Sequence, residues 1–323
     1  MVEHVKEQDD LICVATVDAN KELKGFFISY KLVIELVNMY PFIPMMDCTY
    51  KTNLYGLPLL VIVGITAFSS TFPVAFIMLS AETEEDYNWA LKTLITVFSL
   101  LSNTTLVMTD REIALEKAVR THFPQAVHSL CLWHINKNVE SHMRKHIRDE
   151  EKEENFRKLW TTVCYSPDTA CVDHNLNQLF EEYSSFPRFV AYLQELIASA
   201  GPKFMAVQLG PIFNLGQRAT SRVESAHSVL KSYLKISVLN LAEIVQKMML
   251  MWNHILSEHR IEKARNADIQ LVVNEQLKHF IANDLSTSVS SNKPARTGSK
   301  WKLFLKIYTY NIIDPLLNYE PYF

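Results

Sequence analysis

Three acidic residues, widely separated along the chain, have side chains that could bind divalent metal ions together. Asp47 and Asp110 each follow a run of apolar residues, whereas Glu224 lies in a polar segment. Three converging carboxylates can hold two cations, and two cations about 3.5–4 Å apart stabilise both the attacking and the leaving oxygen of an in-line phosphoryl transfer. The three acids therefore make phosphodiester cleavage and strand transfer the leading hypothesis.

Each of the three acids also has a simpler structural interpretation. Asp47 could end a strand and form the turn before Thr49. The spacings Thr109-x-x-Glu112 and Ser221-x-x-Glu224 are those of capping boxes, so Asp110 could merely favour the start of a helix and Glu224 could merely cap one. From the residues alone, both interpretations remain open.

The composition favours a folded, helix-rich protein whose contacts with nucleic acid are local. Of 323 residues, 48% are hydrophobic, 21% are charged and only 7 are glycine, which excludes a disordered chain and disfavours a glycine-rich phosphate loop. The net charge of −3 argues against binding nucleic acid through a broadly basic surface. Five cysteines without an apolar leader indicate an intracellular protein with free thiols, and the apolar run 57–68 is too short to span a membrane.

The apolar patterns of the first 132 residues predict an α/β protein. The predicted elements are a hairpin at 11–18 and 25–30, a helix at 31–39, strands at 42–48, 59–66 and 71–79, a helix after Thr83, a strand at 104–109, a helix at 112–121 and a strand at 126–132. This order is that of a ribonuclease H-like mixed sheet flanked by helices, with strand 104–109 parallel to strand 42–48. Neighbouring strands lie roughly 4.8 Å apart, which would bring Asp47 close to Asp110.

The rest of the chain is predicted to be mainly helical. Residues 1–132 are interpreted as the first part of the core with its hairpin, and residues 133–215 as an all-α insertion before the last acid. Residues 216–283 would hold a returning core helix with Glu224 and further helices. The polar segment that opens 284–323 predicts a linker, followed by an aromatic tail.

Six segments of the chain, in the same order, resemble the Mutator-like element (MULE) transposases. They are Asp47-Cys-Thr-Tyr-Lys-Thr-Asn53, Ser80-Ala-Glu-Thr-Glu-Glu-Asp-Tyr-Asn-Trp-Ala90, Thr109-Asp-Arg-Glu112, Phe123-Pro-Gln-Ala126, Cys131-Leu-Trp-His-Ile135 and Ser221-Arg-Val-Glu-Ser225. The resemblance extends from about residue 10 to about residue 255. It implies a DDE-type transposase core of ribonuclease H-like fold, interrupted by a helical insertion.

The resemblance also implies a reaction, its cofactor and its partner. Asp47, Asp110 and Glu224 would be the catalytic acids and the ligands of two Mg²⁺ or Mn²⁺ ions, for which oxygen ligands are suited. Water would attack a phosphodiester at the transposon end, and the freed 3′-hydroxyl would attack target DNA. The partner would be DNA rather than a membrane or a small molecule, in the nucleus, with a homo-oligomer as a further expectation.

Other polar residues are candidates for supporting roles. Cys131-x-x-His134 has half the ligands of a zinc site, but its resemblance to a family motif favours organisation of the active site or DNA contact. His227 shares a helix face with Glu224, and could contact DNA or the acids or be a surface residue. The basic candidates for phosphate contacts, whose alternative is a solvated surface, are Lys51, Arg218, Arg222 and Lys231.

Two other functions are compatible with these residues. The first is a domesticated, non-catalytic regulator associated with DNA, as in the plant FAR1-like factors that resemble this family. The intact acids weigh against it, because a purely regulatory protein does not need them. The second is a nuclease of the same fold that cuts DNA without transposing it.

Overall fold

Seven β-strands form one mixed sheet in the computed structural model, which describes residues 10–66, 70–209, 218, 220–235 and 239–267. The strands are β1 (Leu11–Val17), β2 (Leu23–Tyr30), β3 (Met45–Thr49), β4 (Leu59–Ile65), β5 (Thr71–Leu79), β6 (Leu106–Thr109) and β7 (Val127–Leu130). Their order across the sheet is β1-β2-β5-β4-β3-β6-β7. The predicted α/β class, with a mixed open sheet flanked by helices, is confirmed.

The sheet is antiparallel on one side of β3 and parallel on the other. β3, β4 and β5 pair antiparallel, while β6 pairs parallel with β3 and β7 pairs parallel with β6. The predicted hairpin is confirmed as β1 and β2, which extend the sheet beside β5 and form one of its edges. The strand that contains Asp47 was predicted to run parallel to the strand that precedes Asp110, and this is confirmed as well.

Three strands are shorter than predicted, and in each case the residues at one end of the strand explain the difference. β3 begins at Met45 because Pro44 has no N–H group to donate to the ladder. β6 begins only at Leu106, since the Thr104 N–H donates to Leu101 at the end of a 3₁₀ turn. β7 ends at Leu130 because Cys131 is already the N-cap residue of the next helix.

The central strands are buried on both faces. Every residue of β4 is buried, and so is every residue of β5 except Thr71. Such continuous apolar strands require helices on both sides of the sheet. The ring of Trp89 packs closely against Gly25 in β2. A Cβ atom at this position would lie only 2.4 Å from the ring, so the close contact depends on glycine.

Ten α-helices accompany the strands within the described residues. They are α1 (Val33–Met39), α2 (Glu84–Val97), α3 (Ile113–His122), α4 (Leu132–His146), α5 (Glu150–Cys164), α6 (Thr169–Glu182), α7 (Pro187–Ala200), α8 (Ala206–Leu209), α9 (Ser221–Leu234) and α10 (Leu241–Ala267). Thr83 caps α2 as predicted, because its side chain accepts a hydrogen bond from the Asp86 N–H. None of these helices is both long enough and apolar enough to cross a lipid bilayer.

The predicted all-α segment has a hydrophobic core of its own. Helices α4 to α7 bury a cluster that includes Phe156, Trp160, Phe189 and Leu193. The chain forms two compact units, residues 1–256 and 257–323, and the second is described only along the end of α10. The predicted linker and tail at 284–323 lie outside the described residues, and the predicted domain limits at 132, 215 and 283 stay predictions.

Candidate active site

Asp47 lies in β3 and Asp110 directly follows β6, at matching positions along two adjacent parallel strands. Met45 of β3 pairs with Met108 of β6, and each acid follows its methionine by two residues. Residues two apart point to the same face of a sheet, so the two carboxylates project from the same face. Asp47 lies in the middle of β3, opposite Val61, and the interpretation of Asp47 as a turn residue is therefore wrong.

The capping-box interpretations of the other two acids are also wrong. Glu112 is itself the N-cap residue of α3 and accepts a hydrogen bond from the Leu115 N–H. Thr109 instead belongs to β6. At the start of α9, the N-cap residue is Thr220, and no side-chain hydrogen bond caps this helix. Neither Asp110 nor Glu224 is explained by helix capping.

Glu224 reaches the strand acids because α9 packs against β3 and β4. The Nδ1 atom of His227 lies 3.8 Å from an oxygen of Asp47 and 3.8 Å from an oxygen of Glu224. One ligand atom from each of these three residues lies within 4.8 Å of the other two, which is compact enough for a metal ion. Asp110 is not part of this compact set.

A pocket of about 420 Å³ contains all three acids. The residues proposed from the sequence that line it are Asp47, Asp110, Glu224, His134, His227, Lys51 and Lys231. They come from β3, α4 and α9 and from the loops that follow β3 and β6. The fold therefore brings together seven of the ten residues singled out in the sequence.

Burial and repulsion by neighbouring carboxylates oppose ionisation of Asp47 and Asp110. Burial, with the Asp110 charge next in importance, raises the pKa of Asp47 to about 8, although His134 opposes the shift. Burial likewise raises the pKa of Asp110 to about 6. Carboxylates crowded in this way gain from a nearby cation, which would favour their charged forms.

Cys131 and His134 connect the end of β7 to the helix that carries Glu224. The buried sulfur of Cys131 accepts a hydrogen bond from the Thr220 N–H over 3.1 Å, and the Nε2 atom of His134 lies 3.4 Å from Glu224. Burial raises the pKa of the Cys131 thiol, but hydrogen bonds from His134 and Thr220 outweigh it and lower this pKa overall. The hydrogen bond with Cys131 raises the pKa of His134.

The four basic candidates divide into two pairs. Lys51 and Lys231 line the pocket. Arg218 donates to the Phe204 carbonyl over 3.1 Å, and Arg222 donates to the Thr71 hydroxyl over 3.1 Å. The structure therefore places neither arginine in the pocket lining, because both side chains reach neighbouring elements.

Glu82 and Tyr50 line the pocket and were missed in the sequence. Glu82 lies in the segment Ser80–Ala90 that carried part of the family resemblance, but its acidic neighbours suggested a helix start. Tyr50 comes one residue after β3. Tyr50 could have been found from its position, because functional residues concentrate in loops that directly follow a strand at a candidate active site.

Comparison with known proteins supports the resemblance found in the sequence. Residues 43–138 match the family model described as the MULE transposase domain. This segment includes Asp47, Asp110, Cys131 and His134, whereas Glu224 and His227 lie beyond it. The resemblance to MULE transposases is confirmed for this segment.

Three curated relatives share about a quarter of their aligned residues with this chain. A PKS-NRPS hybrid synthetase of Chaetomium globosum is 24% identical over 229 residues, which cover 64% of the chain and 5% of the synthetase. Protein FAR1-RELATED SEQUENCE 11 of Arabidopsis thaliana is 25% identical over 136 residues, covering 42% of the chain and 20% of that protein. Protein FAR1-RELATED SEQUENCE 5 of the same plant is 26% identical over 238 residues, which cover 69% of the chain and 27% of that protein. The chain thus spans at most about a quarter of the length of these relatives.

Proposed function

Because residues 43–138 match a MULE transposase domain, we propose that this chain is the catalytic core of a DDE-type DNA transposase. In this proposal it hydrolyses phosphodiester bonds at transposon ends and joins the freed 3′-ends to target DNA. The similarity to a transposase domain implies an interaction with DNA. The nucleus as the site of action and a homo-oligomer as the active form belong to the same proposal.

The observation that carries the proposal is the shared pocket of Asp47, Asp110 and Glu224. These residues are far apart in the sequence and belong to, or directly follow, three different elements. Buried carboxylates are costly unless a cation or hydrogen-bond donors compensate them. A site for metal ions and phosphate therefore explains three acids in one pocket better than a structural role does.

The donor set fits Mg²⁺ or Mn²⁺. Asp47, Glu224 and His227 offer two carboxylates and one imidazole within 4.8 Å, and Asp110 adds a third carboxylate to the pocket. Oxygen-rich sites suit both ions. When bound, two such ions would polarise the scissile phosphate and stabilise the attacking and leaving oxygens.

The residues of the pocket would have distinct tasks in this reaction. Asp47, Asp110 and Glu224 would hold the cations, and His134, 3.4 Å from Glu224, would orient its carboxylate. Lys51 and Lys231 would bind the phosphates on either side of the scissile bond. The antiparallel β3–β4–β5 group followed by parallel β6 and β7 supports a ribonuclease H-like fold for the whole arrangement.

A cleavage assay tests the proposal. The purified chain is incubated with duplex DNA that carries the end sequence of the element, in Mg²⁺, in Mn²⁺ and in EDTA. We expect nicks at the element end only with a metal, and a decrease of at least about 100-fold in Asp110→Asn. Asp173→Asn, which changes an exposed acid on α6, is the matched control and should cleave normally. Equal cleavage by the wild type and Asp110→Asn would refute the assignment of Asp110.

A second candidate is a domesticated transposase that binds DNA without cutting it. The similarity to two FAR1-RELATED SEQUENCE proteins favours it. The same assay separates the two candidates when DNA binding is measured in parallel. Binding without cleavage, with equal affinity for the wild type and Asp110→Asn, would support the non-catalytic function. A nuclease would cut the DNA but fail to join the 3′-end to a target duplex.

A further inference from the structure

Glu82 is an acid in the pocket that the proposed reaction does not use. Its Oε1 atom accepts a hydrogen bond from the Tyr87 hydroxyl over 3.1 Å, and its Oε2 atom accepts one from the Tyr50 hydroxyl. The Tyr87 hydroxyl also contacts the Cys48 sulfur at 3.3 Å. Both carboxylate oxygens of Glu82 are thus bound by tyrosines, which indicates a role in positioning side chains.

The side chain that Glu82 positions is Tyr50. Tyr87 is buried within the protein, whereas Tyr50 is 50% exposed and lines the pocket. An exposed ring whose hydroxyl is tethered has already lost much of its rotational freedom. Such a ring is pre-organised to bind a ligand because less entropy is lost on binding.

The loop that follows β3 is held by hydrogen bonds, although the side chains of Leu54 and Tyr55 are exposed. The Asn53 side chain accepts hydrogen bonds from the Tyr55 and Leu57 N–H groups and donates one to the Leu57 carbonyl. Leu54 is anchored through its backbone N–H, yet its side chain is 58% exposed. Exposed apolar side chains on a fixed backbone beside a pocket indicate a contact surface for a ligand.

Lys51 adds a positive charge to the pocket that Tyr50 lines. Its backbone has φ = 59°, a left-handed conformation that non-glycine residues rarely adopt. Lys51 also lines the pocket. A strained residue at a pocket suggests that the position of its side chain serves a function. An aromatic face and a cation in one pocket match the base and the phosphate of one nucleotide.

We propose that Tyr50 is a stacking platform for an unpaired DNA base next to the phosphate that would bind at the cations held by the carboxylates. The proposal rests on the proposed function, because DNA is the ligand. Stacking on an aromatic ring is largely independent of base identity, and the affinity lost on removing the ring corresponds to about 5- to 150-fold per base. Glu82 acts as the positioning residue that fixes the ring.

The test measures the binding of a short single-stranded oligonucleotide that contains one 2-aminopurine. Binding is followed by fluorescence anisotropy, and stacking by quenching of the 2-aminopurine emission, in Ca²⁺ and in EDTA. We expect Tyr50→Ala to weaken binding by about 5- to 150-fold and to abolish the quenching. Tyr50→Phe keeps the ring and should retain most of both signals. Tyr165→Ala removes an exposed tyrosine outside the pocket and is the matched control.

The outcomes separate this proposal from the proposed function. Normal binding and quenching by Tyr50→Ala would overturn the stacking site, and so would a wild type that cleaves duplex DNA but does not bind the single strand. Loss of quenching in Tyr50→Ala without any cleavage by the wild type would support the stacking site while refuting the catalytic function. Glu82→Ala leaves the ring present but free, so we expect a smaller loss of affinity than in Tyr50→Ala.

Discussion

The backbone N–H of Thr220 donates a hydrogen bond to the sulfur of Cys131, across 89 positions of sequence. Thr220 directly precedes α9, the helix that carries Glu224. Cys131 directly precedes α4, which carries His134. One hydrogen bond therefore joins the starts of two helices whose side chains meet at the candidate active site. This contact gives the Cys131-x-x-His134 motif a structural role that does not require zinc.

We predict that Cys131→Ala destabilises the protein more than a comparable cysteine substitution. The variant would leave the buried Thr220 N–H without its acceptor, which costs about 1–3 kcal/mol. Cys164→Ala is the control, because Cys164 is also buried and its sulfur makes no hydrogen bond to any residue in the described part of the chain. Urea unfolding should show a free energy of unfolding that is lower by about 1–2 kcal/mol in Cys131→Ala than in Cys164→Ala. Equal losses would show that the hydrogen bond contributes nothing beyond packing.

The stability of the metal-free protein should decrease as the pH rises. Burial and repulsion raise the pKa of Asp47 to about 8 and burial raises that of Asp110 to about 6, against 3.8 for an unperturbed side chain. Between about pH 4 and pH 8 these two carboxyl groups therefore bind more protons in the folded state than in the unfolded state, and the stabilisation that they provide at low pH is lost. We expect the melting temperature in EDTA to fall from pH 5 to pH 8, and to fall less in Asp47→Asn.

The effect of a metal on stability should have the opposite pH dependence. Ligands must be deprotonated to bind, so Mg²⁺ should raise the melting temperature more at pH 8 than at pH 6. Asp47→Asn removes one ligand and should reduce this gain. A melting temperature in EDTA that depends on pH equally in the wild type and in Asp47→Asn would contradict the perturbed pKa of Asp47.

The strands and the strand acids could be predicted from the sequence because their signals are local. The apolar runs of β4 and β5 and the Thr83 cap of α2 each depend on residues within a few positions. The adjacency of Asp47 and Asp110 then followed from the order of the elements, because parallel pairing of β3 and β6 brings equivalent positions together. Pro44 indicated that β3 begins after it, because proline has no N–H for the ladder. The apolar residues before Pro44 nevertheless led to the prediction of a strand that begins at residue 42.

The parts of the site that could not be predicted depend on contacts between distant segments. Glu82 is fixed by Tyr50, 32 positions away, and nothing in the sequence pairs these two residues. The side chain of Arg218 was expected near phosphate, but Phe204, 14 positions earlier, provides a carbonyl acceptor. Long polar side chains have many rotamers, and tertiary packing selects one of them. Their targets are therefore not encoded in local spacing.

His227 should contribute more to the binding of Co²⁺ or Ni²⁺ than to the binding of Mg²⁺. Its Nδ1 atom lies 3.8 Å from both Asp47 and Glu224, and burial lowers its pKa and so favours the neutral imidazole that metals bind. Imidazole is a good ligand for Co²⁺ and Ni²⁺, whereas Mg²⁺ prefers oxygen. Calorimetric titration should show a loss of about 10- to 100-fold for Co²⁺ in His227→Ala and a smaller loss for Mg²⁺.

The control for this prediction is His174→Ala, which changes an exposed histidine of α6 and should leave both affinities unchanged. Equal losses for Co²⁺ and Mg²⁺ in His227→Ala would show that His227 only orients the two carboxylates. An unchanged affinity for both ions would remove His227 from the metal site altogether.

A chain of polar contacts connects the helical segment to the strand that precedes Asp110. Lys203 forms an ion pair with the buried Glu116, whose carboxylate lies 4.0 Å from Nδ1 of His128. The Nε2 atom of His128 lies 2.8 Å from the Thr109 hydroxyl, which donates to the Asp110 carbonyl over 2.6 Å. Lys203, which follows α7, therefore lies at one end of a row of polar groups whose other end is the Asp110 carbonyl.

We predict a strong coupling between Lys203 and Glu116 in a double-mutant cycle. Lys203→Met would leave the buried Glu116 charge without its partner and should cost about 2–3 kcal/mol, less than for a fully buried pair because Lys203 is 28% exposed. Glu116→Gln in the same variant should recover part of that loss. The exposed pair Lys117 and Glu84, 2.9 Å apart, is the control and should show a coupling of only about 0.2–1 kcal/mol. Equal coupling free energies for the two pairs would contradict this prediction, because they would show that Lys203 and Glu116 act as an ordinary surface ion pair.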